Sequence, residues 1–142
     1  MGWNSDPRRL ADEVSKQHRL LCIRIGLDVY GRLVLATPVD TGRARSNWLA
    51  SLKEPRRKIV EPRSEEEAAA ETLAIIKQAS DFPVIRLSNN LPYIGRLNDG
   101  SSKQAPAAFV QTAVAQALAP FEGKRKGDLS GISLTLRGGR SI

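Results

Sequence analysis

Residue types that carry enzymatic chemistry are sparse in this chain of 142 residues, which holds one histidine, His18, and one cysteine, Cys22. A Ser-His-Asp or Cys-His device would depend on His18, which lies in a predicted N-terminal helix without a supporting motif. Cys22 lies in an apolar stretch and is typical of a small core residue. A single cysteine excludes an intrachain disulfide and a cysteine-based zinc site. We therefore predict no catalytic, cofactor-binding or metal-binding residues, and a protein that is not an enzyme.

One tripeptide keeps an enzyme alternative open. Asp40-Thr41-Gly42 matches the catalytic tripeptide of aspartic proteases, and Ile94-Gly95-Arg96 resembles the later motif of the retroviral branch. Such chemistry needs two aspartates that share a proton, which a homodimer would supply. However, the bulky Arg43 follows Gly42, and no glycine occurs between Arg43 and Ile94, where a flap hairpin would need several. This is the less favoured alternative.

The charge balance points to an anionic partner. The formal net charge is +7, and the sequence pI is near 10.1. Nucleic acid, a membrane surface and an acidic protein face are all compatible with it, as is a plain basic surface. The main basic cluster is Arg56, Arg57, Lys58 and Arg63. It contains no interleaved aromatic residues, so it predicts non-specific contact with DNA phosphates, either in a free-standing DNA-binding protein or in a DNA channel. No apolar run approaches the length of about 18 residues that a membrane span needs.

The elements that would position these residues begin with a long helix. Asp6-Pro7 is an N-cap followed by proline at the first helical position, and Pro38 ends the pattern, so we expect a helix from Pro7 to Ala36. Its apolar stripe is Leu10, Val14, Leu21, Ile25 and Val29. Gly26 and Gly31 weaken its second half and indicate a bend or a close contact.

The remaining pattern predicts two strands and two more helices. We expect strands at 47–52, anchored by Trp48, and at 84–88. We expect a helix with an acidic first turn from the Ser64 cap to about Ala79, and a last helix at 105–118. The last helix lacks a strong cap of its own, so we expect a partner or the Ser101-Ser102 loop to supply one. The predicted fold class of residues 1–122 is α+β, with the long N-terminal and C-terminal helices packed on a small antiparallel sheet and the acidic helix inserted between strands.

Residues 123–142 are predicted to form a basic, flexible C-terminal arm outside this domain. Ile132, Leu134 and Leu136 alternate with Ser133 and Thr135, which indicates a single strand. A lone strand needs a partner for its backbone groups. We expect it to add to a sheet edge of a neighbouring subunit, with its three apolar residues facing inward. The alternative is an arm that folds back onto its own sheet.

Two stretches together resemble a known family. The first is Thr37-Pro38-Val39-Asp40-Thr41-Gly42-Arg43, followed by Asn47-Trp48. The second is Ser88-Asn89-Asn90-Leu91-Pro92-Tyr93, followed by Asp99-Gly100-Ser101-Ser102 and by Gln104-Ala105-Pro106 before a helix with Phe109 and Val110. In order and spacing they are similar to the tail-completion, or neck, family of long-tailed bacteriophages. The resemblance covers residues 29–118. Ile94 and Ala108 depart from the small residue and the glycine that the family usually has there.

This resemblance implies a structural virion protein, made in the host cytoplasm, that forms a homo-oligomeric ring at the neck or upper tail. Its partners would be the tail terminator and the head-completion or connector proteins, with six subunits as the natural ring order and no membrane contact. The subunit interface is predicted at two turns, comprising Thr37, Pro38, Val39, Asp40, Thr41 and Gly42 in the first and Asn89, Asn90, Pro92 and Tyr93 in the second. Plain turn chemistry is the alternative for both.

Overall fold

A helix of 30 residues, α1 (Pro7–Ala36), is the longest element of the chain. The structure is a computed structural model that describes residues 6–39, 42–100, 107–121, 132–136 and 140–141. The Asp6 carboxylate accepts the Arg8 N–H at 3.1 Å, and Thr37 takes an extended conformation after the last turn. Both predicted ends of this helix are confirmed.

Only the C-terminal half of α1 belongs to the core. Its buried residues begin at Cys22 and end at Val34. Leu10 and Val14, which the apolar stripe assigned to packing, are 64% and 56% exposed. That part of the prediction is wrong, because the first turns of α1 extend beyond the elements that could cover them. Gly26 lies where an added Cβ would stand 3.0 Å from Ile85 Cδ1, so this glycine marks a close contact with a strand residue and not the close helix contact that the sequence suggested.

Short elements follow α1. They are α2 (Arg43–Ser46), β1 (Leu49–Ser51), α3 (Glu65–Ile76), β2 (Ile85–Asn89), α4 (Ile94–Asn98), α5 (Phe109–Leu118), a 3₁₀ turn (Ala119–Phe121), β3 (Ile132–Leu136) and β4 (Arg140–Ser141). The Ser64 hydroxyl caps α3 by accepting the Glu67 N–H at 3.1 Å, as its sequence predicts. Asn47 and Trp48 lie before β1 and not in it. Within the described ranges, no helix is long and apolar enough to cross a membrane.

The four strands form one sheet in the order β1-β2-β3-β4. β1 and β2 are antiparallel, with Leu49 opposite Ser88. The predicted α+β arrangement of a long N-terminal helix, a C-terminal helix and a small antiparallel sheet is confirmed. β3 extends this pair by running parallel to β2, with Leu87 opposite Leu134.

The pairing of β3 corrects the prediction for the C-terminal arm. The strand at Ile132, Leu134 and Leu136 is present, but it pairs with β2 of its own chain and not with another subunit. The physical reason is that β1 pairs with only one edge of β2, and the other edge needs partners for its backbone N–H and C=O groups. The linker at 122–131, including the basic residues near its start, lies outside the described residues.

The hydrophobic core lies between the sheet and the helices α1 and α5. Its largest side chains are Trp48 and Phe109, at 0% and 1% exposure, and Ile85 and Leu87 of β2 are both at 0%. Apart from Tyr30 and Cys22, the remainder of the core is aliphatic, in keeping with the low aromatic content of 5%. Both segments that carry the family resemblance contribute side chains to this core.

Candidate functional site: two polar turns and the basic loop they hold

The first turn begins at Thr37, which is 1% exposed. Its hydroxyl donates to the Leu33 carbonyl at 2.6 Å and accepts the indole N–H of Trp48 at 2.9 Å. Arg45 donates to the Thr37 carbonyl at 2.8 Å. Gly42 has φ +68°, a conformation that favours glycine, as expected from its place in the turn. These bonds fix the angle between α1 and the chain that enters the sheet.

Ser46 and Asn47, which follow the first turn, bind the backbone of the segment 60–63. The side chain of Asn47 accepts the Val60 N–H at 2.8 Å and donates to the Val60 carbonyl at 2.9 Å. Ser46 exchanges the same pair of bonds with the backbone of Arg63, at 3.0 and 3.1 Å. Both residues are buried. The segment 55–63 is called here the basic loop. Asn47 and Ser46 therefore bind the backbone of this loop through the N–H and C=O groups of Val60 and Arg63.

The second turn binds the same loop from the other side. Asn90 donates to the carbonyls of Arg56 at 2.6 Å and Lys58 at 3.1 Å, and the Ser88 hydroxyl donates to Arg56 at 3.0 Å. Asn89, at 0% exposure, donates to the Ala44 carbonyl at 3.0 Å and accepts the Leu91 N–H at 3.2 Å. Asn89 thus joins the second turn to α2, which directly follows the first.

The structure brings the two predicted turns together inside the subunit. Thr37, Pro38 and Asn89 are buried and contact their own chain, so a partner cannot reach their side chains in this conformation. Val39 and Pro92 are exposed, and Gly42, Asn90 and Tyr93 are half-buried. Asp40 and Thr41 lie outside the described residues. For the reachable residues the interface stays a prediction.

The basic cluster is only partly free. Arg56 donates to Glu71 at 2.7 Å, and Arg63 forms an ion pair with the other oxygen of the same carboxylate. Burial raises the pKa of the Glu71 carboxyl, but the hydrogen bonds and charges of the two arginines outweigh burial and lower it overall. Arg56 and Arg63 share this one carboxylate, so the group of three keeps a net positive charge, and the DNA-channel role of the two arginines stays a prediction. Arg57 and Lys58 are exposed.

Asn98 is a structural residue that the sequence did not reveal. Its side chain accepts the Val110 N–H at 3.0 Å and donates to Gln111 at 2.9 Å, and its carbonyl accepts the Ala108 N–H at 2.6 Å. It therefore caps α5 from within the subunit, while Ser101 and Ser102, which we expected to contribute, lie outside the described residues. Ala108 has φ +59°, a left-handed conformation that favours glycine. Local capping patterns miss Asn98, because it lies twelve residues from the amide it caps.

The two most reactive side-chain types lie together but carry no catalytic arrangement among the described residues. The Cys22 sulfur is 3.8 Å from the ring of His18, and burial raises the pKa of its thiol, which disfavours the nucleophilic thiolate. The ring of His18 lies against that of Phe82, with centroids 5.1 Å apart. No group of three or more histidine, cysteine, aspartate or glutamate residues in the described ranges could hold a metal ion.

One open groove of about 640 Å³ lies between β1, the end of α3 and the segment before β2. Its walls include Leu52, Ile75, Phe82 and Val84, with Lys53 at the rim. Phe82 is 65% exposed and has φ +50°, a strained conformation for a residue with a side chain. The groove carries no cluster of acid, base or nucleophile.

The protease alternative can be compared with the fold at two places. Ile94, Gly95 and Arg96 begin the short helix α4, and α3 occupies the interval where flap strands would lie. Asp40 and Thr41, the residues that would carry the chemistry, lie outside the described residues. The described part of the chain therefore differs from the strand-and-flap arrangement which that alternative requires.

With this geometry in hand, comparisons with protein-family models, curated proteins and solved structures found no match for the chain.

Proposed function

We propose that this chain is a structural subunit of the neck or upper tail of a long-tailed bacteriophage, where it forms a ring that joins tail to head. The proposal starts from the resemblance of the segments 37–48 and 88–110 to the tail-completion family. One observation carries it. The polar residues of those motifs, above all Thr37, Asn47 and Asn89, form hydrogen bonds inside the subunit that hold its turns in place. This supports the proposal, because the residues that carry the resemblance have a structural role in this chain.

The role of such a scaffold is to present surfaces. Thr37, Asn47 and Asn89 bond within the subunit. We therefore expect partners to meet the exposed faces of α1 and α3, the outer side of the basic loop and exposed motif residues such as Val39 and Pro92. Rings are built from heterologous contacts, in which one patch of a subunit meets a different patch of its neighbour. A rigid subunit suits this role, because small errors of angle accumulate around a ring.

Three experiments test the proposal. Electron microscopy of the purified chain, with two-dimensional class averages, is expected to show closed rings. Mass spectrometry and antibody labelling of purified virions are expected to place the protein at the neck. Deletion of its gene should leave filled heads and separate tails. Virions that lack the protein, or that stay fully assembled without it, would refute the proposal.

Contact with DNA is a second role that Arg57 and Lys58 support, since both are exposed and adjacent. Each phosphate contact contributes a slope of about −0.9 to the dependence of log affinity on log salt. Replacing both residues by alanine should therefore reduce the slope for duplex DNA by nearly two. The same change at Arg8 and Arg9, which are also exposed and adjacent, is the control and should matter less. An unchanged slope in the Arg57 and Lys58 variant would exclude the loop as a DNA contact.

A further inference from the structure

Two exposed helix stripes of this chain carry the same order of charged and apolar residues. The stripe on α1 is Glu13, Gln17, Leu20 and Arg24, and the stripe on α3 and its C-cap is Glu66, Ala70, Leu73 and Lys77. Both follow the spacing i, i+4, i+7, i+11, which places the four side chains on one face of a helix. All eight residues are exposed, and the two leucines are 47% and 40% exposed.

Neither stripe is used inside the subunit. α1 faces the core through residues such as Cys22, Ile25 and Val29, and α3 through Ala68, Thr72 and Ile76. Within the described part of the chain, Arg24, Glu66 and Lys77 form no ion pair, and Glu13 accepts a hydrogen bond from Gln17 on the same stripe at 3.0 Å. Both faces are therefore open to a partner.

The two stripes complement each other when the helices run antiparallel. Each stripe places its acid and its base eleven residues apart, a distance of about 16 Å along a helix. Antiparallel packing sets Glu13 against Lys77 and Arg24 against Glu66. Between these pairs, Leu20 meets the small Ala70, and Leu73 lies along Gln17. Parallel packing would set acid against acid and base against base, so the charges select one direction.

We infer that the α1 stripe of one subunit packs antiparallel on the α3 stripe of a second copy of this chain. Two different patches meet, so the contact is heterologous and can repeat around a ring. The inference rests on the proposed function and identifies the contact through which neighbouring subunits join. Two helices of about three turns cover less than the roughly 1,200 Å² that specific stable interfaces bury. A single contact of this kind is therefore weak, and closure of the ring adds to the stability of the assembly.

Charge inversion without change of net charge tests the contact. One variant inverts the α1 stripe with Glu13→Lys and Arg24→Glu, and another inverts the α3 stripe with Glu66→Lys and Lys77→Glu. Each should weaken self-association about tenfold, the equivalent of about 1.4 kcal/mol. The variant with all four changes restores both ion pairs and should regain wild-type association. Sedimentation velocity over a concentration series, at an ionic strength near 0.05 M where screening is weak, measures the effect.

A matched control swaps two exposed charges in the basic loop, with Arg57→Glu and Glu61→Lys, and should associate like the wild type. Melting curves should show the α1 variant and the control as stable as the wild type, since their changed residues are exposed. The α3 variant and the fourfold variant should be folded but less stable by about 1–2 kcal/mol, because their changes reverse the charges at the two ends of α3. Self-association that persists in both inverted variants, or that the fourfold variant fails to regain, would overturn this contact. A wild-type chain that stays monomeric at millimolar concentration would overturn it as well. Absence of the protein from virions would instead overturn the proposed function.

Discussion

Asn89 joins the two polar turns, and its replacement by alanine tests whether that junction stabilises the fold. The side chain is 0% exposed, donates to the Ala44 carbonyl at 3.0 Å and accepts the Leu91 N–H at 3.2 Å. Asn89→Ala removes both bonds. The Ala44 carbonyl keeps the Asn47 N–H at 3.3 Å, whereas the buried N–H of Leu91 loses the acceptor that Asn89 supplies.

The size of the effect follows from these groups. A buried polar group left without its partner costs about 1–3 kcal/mol, and the lost packing of the amide adds to it. We expect the free energy of unfolding to fall by about 2–4 kcal/mol in total. Domains of this size are stable by about 5–15 kcal/mol, so the variant should remain folded at room temperature. Its loss of stability should nevertheless be large for one side chain.

Urea unfolding, followed by circular dichroism, measures this change. With a slope of about 2 kcal/mol per molar urea, the midpoint should fall by about 1–2 M. Asn90→Ala is the matched control, because Asn90 is half-buried and water can replace its bonds to the basic loop. It should cost less than about 1 kcal/mol. If Asn89→Ala lay within about 0.5 kcal/mol of the wild type, as a neutral surface change does, the argument for a structural junction would be wrong.

Three further predictions concern charge, helix packing and the arm. At neutral pH, Glu71→Gln should lower the free energy of unfolding by about 1 kcal/mol. The two arginine partners lower the pKa of this carboxyl in the folded state, so its contribution is present above the unfolded pKa of about 4.3 and is lost as pH falls through the lower folded value. A difference that acid leaves unchanged would contradict this. Gly31→Ala should stabilise the protein by about 1 kcal/mol, because no atom lies within 4 Å of the added Cβ, whereas Gly26→Leu should destabilise it through its contact with β2. Thermal melts that rank these two variants the other way would contradict it. Removal of residues 123–142 should reduce amide-exchange protection along β2, because it uncovers the edge that β3 occupies. Equal protection with and without the arm would show that β3 does not pair there.

The helices were predictable from short stretches of sequence. Asp6 with Pro7, Ser64 with the acids after it, and Pro38 after α1 gave the right helix starts and stop. These signals work because a cap or a proline acts within one helical turn. The alternation at 132–136 likewise revealed a strand, since side chains change face at every residue. The turns at Gly42 and after Asn89 were recognisable by composition for the same reason.

Long-range pairing decided the rest. The sequence identified Asn89 as a turn residue, but the carbonyl it binds lies 45 residues earlier, and no local pattern encodes that distance. The sequence placed Arg56 and Arg63 in one basic cluster, but it did not indicate that both pair with Glu71, which lies 15 and 8 residues after them. β3 read as an arm for another subunit until β2 supplied an edge within the same chain. In each case the neighbouring sequence was compatible with several partners. Packing selected one of them, because buried backbone and charged groups must be matched inside the finished core.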